Sequence, residues 1–175
     1  MNLLKQITDK ELFGIDGHNY EEPYKAARAV LLDDNNLVAV LYLKKLNFYT
    51  LPGGGIDVGE TMQQALAREM QEETGCYIDI VCELGIIEEN SLIYNWSGAS
   101  SCFIAKTKGE KGLLHLTQEE IDQETQVHWY NIHEALEIII NQNISARDER
   151  EAGIVKFIQK RDIVLLNEAI KMLKT

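Results

Sequence analysis

Gly54-Gly55-Ile56-Asp57-Val58-Gly59-Glu60 is followed, seven residues later, by Arg68-Glu69-Met70-Gln71-Glu72-Glu73-Thr74-Gly75-Cys76. The residues between and around them predict a helix over Thr61 to Glu73. Thr61 with Gln64 three residues on is a capping box, and Gly75 stands where a left-handed C-cap is wanted. On a wheel of about 100° per residue with Met62 at the origin, Ala65, Leu66 and Met70 fall near ~300°, ~40° and ~80° and define an inward face. Gln63, Gln64, Ala67 and Gln71 point to solvent. Glu72, Glu69 and Glu73, near ~280°, ~340° and ~20°, continue the inward stripe with carboxylates.

Carboxylates at i, i+3 and i+4 stand roughly 5–6 Å apart at Cβ, and on a partly buried face they repel unless protonated or neutralised. An all-oxygen cluster suits Mg²⁺ or Mn²⁺, whereas zinc would want histidine or cysteine. The adjacent glycines can add backbone carbonyls. Arg68, near ~240°, reaches Glu72 one turn on by a forked hydrogen bond and leaves the cation side free. A glutamate-rich helix by itself is as often a solvated face with ordinary ion pairs. The shared azimuth of the carboxylates and the apolar stripe weighs against that reading.

Upstream, Lys25 to Leu32 and Leu37 to Leu43 flank the turn cluster Asp33-Asp34-Asn35-Asn36 and predict a β-hairpin. A short run, Phe48 to Leu51, leads to Pro52-Gly53-Gly54-Gly55, expected to be a loop because three glycines lose so much entropy in a regular element. Downstream, Tyr77 to Glu89, Ala99 to Thr107 and Val127 to Asn131 predict strands, with Ser97-Gly98 as a turn. Helical spacing returns at His133 to Ile140 and from Ala146 onward, where Ile154, Phe157, Ile158, Leu166, Ala169, Ile170 and Leu173 recur at threes and fours. Lys108 to Gln126 shows the least pattern and is expected to hold a mobile loop. The order implies a single α/β domain over residues 1–175, with an N-terminal extension and a C-terminal helical segment.

The chain of 175 residues is 45% hydrophobic and 26% charged, which is a globular composition with enough apolar side chains for a full core. A formal charge of −11 argues against holding a polynucleotide, which needs clustered Lys and Arg, but permits a small polyanion at a metal-bearing site. Cys76, Cys82 and Cys102 form no C-x-x-C pair, so a reducing compartment is expected. The charged N-terminus lacks a signal-peptide core and no stretch is long enough to span a bilayer. These features predict a cytoplasmic protein with no membrane partner, and they leave a homodimer open.

The stretch from Gly54 to Cys76 resembles the Nudix box, G-x₅-E-x₇-R-E-U-x-E-E-x-G-U, with every fixed position met. Met70 fits the first bulky position, and Cys76 departs mildly in size at the second. The flanking order of strands, box helix, further strands and late helices is similar to the α/β/α sandwich of that family, with its mixed sheet. The resemblance implies that Glu69, Glu72 and Glu73 bind Mg²⁺ or Mn²⁺, that the Gly54 region adds a carbonyl ligand, and that Glu60 and Arg68 orient the site. It also implies attack of water on a diphosphate linked to a nucleoside and a second group, leaving a nucleotide and a phosphorylated partner.

In that family the loop ahead of a late strand often swings an acidic residue over the metals, which nominates Glu120 and Glu124 as general bases. The bland alternative is a solvated acidic loop. His18, His115, His128 and His133 lack ligand spacing and read as structural or surface residues. Trp129 and Tyr130 read first as core. Tyr94 falls where diadenosine-polyphosphate-cleaving members often place a tyrosine, which makes a dinucleoside polyphosphate hydrolase one alternative. The proline of ADP-ribose hydrolases and the SQPWPFPxS-like segment of NADH-cleaving members are absent, which leaves a nucleoside triphosphate or related nucleotide as the leading small-molecule substrate. A nucleotide-sensing regulator without strong activity is the rival from another class, and the intact box disfavours it.

Overall fold

The computed structural model describes residues 1–174, which form β1 (Leu3–Thr8), α1 (Asp9–Phe13), β2 (Tyr24–Leu32), β3 (Val38–Leu43), β4 (Phe48–Thr50), β5 (Gly53–Gly55), α2 (Met62–Thr74), β6 (Tyr77–Ser91), β7 (Trp96–Lys108), α3 (Gln118–Asp122), β8 (Thr125–Tyr130), α4 (Ile132–Asn141) and α5 (Glu149–Leu173). One sheet runs β1-β6-β7-β2-β3-β4, with β5 added on β2 and β8 on β3. Its β1–β6 and β2–β7 pairs are parallel and the others antiparallel, so the sheet is mixed.

Period-two alternation decides which helix each strand residue meets. Ala27, Ala29 and Leu31 of β2 face α2 and pack with Leu66, Met70 and Phe103. Val30 and Leu32 face the other way and pack with Ala135 and Ile139 of α4 and Phe157 and Leu165 of α5. Helices therefore cover both faces of the sheet, giving the expected α/β/α sandwich. Double coverage also explains why β2 reads as a nearly continuous apolar run. Cys76, the undersized box position, is buried in the core under α2.

The turn after Leu32 folds as its composition requires. Asp33 Oδ1 accepts from the amides of Asn35 and Leu37, each at 2.9 Å, and Asn36 takes φ 58°. The expected hairpin is nevertheless paired only at its tip, Leu32 with Val38. Beyond it β2 runs between β7 and β5 while β3 runs between β4 and β8, so the two strands diverge and a cleft opens between them.

The three glycines form a strand, not the expected loop. A Cβ on Gly53 would strike the Ala27 carbonyl and come 2.7 Å from Arg28 Cα; one on Gly54 would lie 2.5 Å from the carboxyl carbon of Glu69; one on Gly55 would strike the Tyr24 hydroxyl. Close approach to β2 and α2 on both sides excludes side chains, and that steric demand overrides the entropy cost that predicted a loop.

Three other expectations shift. The turn between the long strands is Leu92 to Asn95, with Asn95 at φ 48°, and Ser97-Gly98 lies inside β7. Within Lys108 to Gln126, α3 forms behind a second capping box, Thr117 with Glu120. The segment before it is tied to the end of α2 by Gly112 N–H donating to Gly75 O at 2.7 Å and His115 N–H to Glu72 O at 2.8 Å. Leu173, placed on the apolar stripe of the last helix, ends exposed. No helix among the described residues is long and apolar enough to cross a membrane.

Candidate active site

Helix α2 starts and stops as its sequence dictates. Thr61 Oγ1 accepts from Gln64 N–H at 3.2 Å, Gln64 Oε1 accepts from Thr61 N–H at 2.9 Å, and Gly75 closes the helix at φ 70°. With both ends fixed, Leu66 and Met70 are driven into the core and the carboxylates of the same stripe go with them. Glu73 is 6% exposed; the Glu69 and Glu72 side chains are 12% and 35% exposed.

Burial pushes the Glu73 carboxyl well above the ordinary carboxylate range. The Glu69 and Glu120 charges add to that, while a hydrogen bond from Gly53 N–H at 2.6 Å and the charge of Arg28 oppose it. Burial also raises Glu69, against the pull of Arg68.

Arg68 is the hub of the exposed end. Its forked pair of hydrogen bonds goes to Glu60, from Nε at 2.9 Å and Nη2 at 3.0 Å, and not to Glu72 as the helix wheel suggested. Nη1 bridges Glu69 at 2.7 Å and Glu72 at 3.1 Å, and Nη2 also donates to Gly55 O at 2.8 Å. Glu60 is fixed by this fork and by Asp57 N–H at 3.0 Å, and both hold its carboxyl below the ordinary range. The guanidinium thus ties the loop, the glycine strand and the helix together, and it stands on the carboxylate side that the sequence reading left free.

The register of β5 sets which carbonyls face this side. Ala29 N–H donates to Pro52 O and Ile56 N–H to Lys25 O, which by antiparallel alternation places Gly54, opposite Ala27, in a hydrogen-bonded pair with β2. The Gly54 carbonyl is therefore turned into the ladder. Those of Gly53 and Gly55 point outward, where they accept from Arg28 and Arg68. The Gly54 carbonyl, expected on the carboxylate side, is thus engaged by the sheet, and the outward-facing carbonyl beside it is that of Gly53.

No three His, Cys, Asp or Glu side chains among the described residues already converge as a closed metal cage. The donor set still fits a hard divalent cation: it is all oxygen, and one of its three carboxylates is buried and a second partly buried, with charge that a cation would offset. The short reach from Gly54 to Glu69 leaves no room for a side chain between strand and helix.

Glu73 opens onto a cavity of about 200 Å³ in the cleft between β2 and β3, lined also by Arg28, Thr125, Arg161 and Glu120. Of the two candidate bases, Glu120 thus lies beside the box carboxylates. Its Oε2 accepts from Thr117 N–H at 2.6 Å and Thr117 Oγ1 at 2.8 Å. Glu124 does not join them: it pairs with Lys44 at 2.6 Å, which holds its carboxyl below the ordinary range.

Arg161 and Asp162 of α5 escaped the sequence reading. Both are buried, joined by Nε and Nη2 to Oδ1 at 2.9 and 2.8 Å, and Asp162 Oδ2 accepts from Thr50 Oγ1 at 2.7 Å and Leu51 N–H at 3.0 Å. Tyr94 packs edge-on against Phe13 and over Gly153, away from the carboxylates.

The family model of the NUDIX domain matches residues 23–147. The chain belongs to the Nudix family. This Nudix chain is similar to the ADP-ribose pyrophosphatase of Methanocaldococcus jannaschii, 33% identical over 72 residues that make up 38% of the chain and 41% of that protein. Among solved structures it resembles a Caenorhabditis elegans Ap4A hydrolase, with TM-score 0.56 at 18% identity over 86% of this chain and 98% of that one. It also resembles a UDP-X diphosphatase, with TM-score 0.55 at 19% identity over 87% and 64%. The chain spans less than half the length of the curated relatives it matches.

Proposed function

We propose that the protein hydrolyses the diphosphate linkage of a nucleoside diphosphate joined to a further group, with a nucleoside triphosphate or related nucleotide as substrate. The carrying observation is the set of carboxylates on one face of α2, Glu69 and Glu73 set against a strand that admits no side chain and Glu73 buried and opening onto a cavity. Glu69, Glu72 and Glu73, with the Gly53 carbonyl, are the groups that hold Mg²⁺ or Mn²⁺. A cation so bound offsets phosphate charge and lowers the pKa of a water. Glu60 and Arg68 orient the carboxylates, and Glu120 accepts the proton of the attacking water from the cavity side. The names of the relatives above share the same linkage, a nucleoside joined through a diphosphate. Persistence of all three box glutamates supports turnover over a sensing role.

The test is hydrolysis of a panel of nucleoside triphosphates, oxidised guanine nucleotides, dinucleoside polyphosphates, ADP-ribose and nucleotide sugars, followed by phosphorus NMR with and without Mg²⁺, Mn²⁺ and chelator. The expected outcome is cleavage between two phosphorus atoms that stops in EDTA while the fold persists. No cleavage of any member, or undiminished cleavage in excess EDTA, refutes the proposal.

A further inference from the structure

The chain crosses from β4, which pairs with β3, to β5, which pairs with β2, through Leu51 and Pro52. Since β2 and β3 have parted by then, these two residues span the cleft and belong to neither set of paired residues. Their backbone groups need other partners. Ala29 N–H donates to Pro52 O at 3.3 Å, and proline has no N–H to satisfy. Leu51, which has no exposed surface, donates its N–H to Asp162 Oδ2 at 3.0 Å, the same oxygen that accepts from Thr50 Oγ1 at 2.7 Å.

Asp162 is itself firmly held. Arg161 Nε and Nη2 reach its Oδ1 at 2.9 and 2.8 Å, Nη2 also donates to Thr50 Oγ1 at 3.3 Å, and Nη1 stands 4.0 Å from Glu89 of β6. The Thr50 hydroxyl gives its one hydrogen to Asp162 and takes one from Arg161, which fixes its rotor. Both charges are buried, and a buried ion pair often yields no more stability than apolar side chains filling the same volume. What apolar side chains could not supply is an acceptor for Leu51 N–H.

Two residues further on, the chain so held meets the helix with no slack. Gly53 N–H donates to Glu73 at 2.6 Å, and a Cβ on Gly54 would lie 2.5 Å from the Glu69 carboxyl carbon. A displaced crossing would therefore move both carboxylates or break their contacts with the strand. We propose that Asp162, with Arg161 behind it, is a positioning residue for the metal-binding carboxylates: by holding Thr50 and Leu51 it sets where the glycine strand stands against Glu69 and Glu73. The proposal rests on the reading of those glutamates as ligands of a divalent cation. Asp162 acts on them through the backbone from Leu51 to Gly54, and it does so from α5, beyond the residues matched by the family model.

Two neutral double variants separate holding from folding. Arg161→Met with Asp162→Asn removes both charges and keeps a carbonyl oxygen for Leu51 N–H. Arg161→Met with Asp162→Leu removes the charges and the acceptor together. Neither strands a buried charge, so both are expected to fold, as near-UV circular dichroism and urea unfolding will show. The EPR signal of free Mn²⁺, titrated with substrate-free protein, reads the carboxylates without turnover. The Asn variant is expected to bind Mn²⁺ within about 3-fold of wild type, and the Leu variant roughly 10- to 100-fold more weakly, the range for losing an outer partner of a metal ligand. With the best panel substrate, kcat is expected to follow the same order. A Leu variant that folds and binds Mn²⁺ like wild type overturns the positioning role, and so does an Asn variant as weak as a folded Leu variant. If the Leu variant does not fold, Thr50→Val and Thr50→Ser decide, since both leave the ion pair and the Leu51 bond in place: Val is expected to weaken Mn²⁺ by about 3-fold or more and Ser to retain it, and equal affinities overturn the role. A wild type that binds no Mn²⁺ removes the metal reading and this proposal together. Affinities in the expected order beside a negative hydrolysis panel remove the proposed activity and leave the positioning role standing.

Discussion

Gly54→Ala separates chemistry from folding at the centre of the site. Gly54 does not occupy the left-handed region, so alanine is compatible with its backbone, and such a change ordinarily stabilises by about 0.4–1 kcal/mol through the unfolded chain. The added Cβ would lie 2.5 Å from Glu69 Cδ and 2.6 Å from Oε2, where ordinary contact begins at 3.4 Å. The carboxylate must therefore withdraw by about 0.8 Å or more, and a misplacement of about 1 Å at a reacting centre costs on the order of 10²-fold. What moves is the far end of a flexible side chain, so the fold is expected to hold within about 1 kcal/mol of wild type.

Gly53→Ala is the contrasting control. There the backbone sits at φ 133° and the new atom meets the Ala27 carbonyl, which cannot swing aside. The conformation alone costs about 1–3 kcal/mol for a residue with a side chain. Urea unfolding and steady-state hydrolysis of the best panel substrate measure both effects. The expected pattern is a stable Gly54→Ala with kcat/KM down about 10²-fold, beside a destabilised Gly53→Ala. Wild-type turnover in Gly54→Ala would refute the assignment of Glu69 to the reaction, and unfolding of Gly54→Ala would refute the steric reasoning.

Arg68→Ala is expected to lower kcat/KM roughly 10- to 100-fold, as the loss of a group that orients ligating carboxylates does, and an unchanged rate would remove Arg68 from the site. Glu73→Gln keeps an acceptor for Gly53 N–H and removes the charge. Because the folded Glu73 carboxyl holds its proton above the unfolded value of about 4.3, the native state binds more protons than the unfolded one, and metal-free stability falls as pH rises through that window. In EDTA the Gln variant is expected to be the more stable protein at neutral pH, with a flatter pH dependence of the urea midpoint; parallel profiles would contradict this. Glu120→Gln is expected to lower kcat roughly 10²–10⁴-fold with little change in KM, and Glu124→Gln, whose carboxylate faces Lys44, to leave both near wild type. Equal rates in Glu120→Gln and wild type would return the proton to the box residues.

Helix α2 was legible in full because its ends and its face are set by residues within the helix and its caps: Thr61 and Gln64, Gly75, and the alignment of Glu69 and Glu73 with Leu66 and Met70. The partner of Arg68 was not, because Glu60 lies before the helix and a wheel has no place for it. The glycine run was misjudged for a related reason. Its conformation is decided by what presses on it, Ala27 and Arg28 from one side and Glu69 from the other, and none of these is a sequence neighbour. The same holds for the parting of β2 from β3, since the pairing of β3 with β8 involves residues more than 80 positions away. Arg28 did carry a signal, a cation set inside the otherwise apolar run Ala26 to Leu32. So did Arg161 and Asp162, charges that follow Phe157 and Ile158 on the buried stripe of α5, which is the kind of signal that singled out Glu69 and Glu73.

That stripe links the last helix to the chemistry. Asp162 holds Leu51 N–H and the Thr50 hydroxyl, two residues and one proline ahead of Gly53, and Gly53 N–H in turn is held by Glu73. The Asp162 carboxylate is wholly buried, and its charge is balanced by Arg161, itself 2% exposed. A buried pair of this kind contributes little net stability over an apolar pair of the same volume, yet removing one partner leaves the other charge stranded. Its worth to the molecule is therefore positional: it fixes where β4 ends and β5 begins, and with that the distance between the glycine strand and the carboxylates of α2. The family match ends at residue 147, so the element that anchors this strand is one the box does not encode. The spacing of Glu69 and Glu73 against Gly53 and Gly54 is set from both ends, by the caps of α2 on one side and by Asp162 on the other.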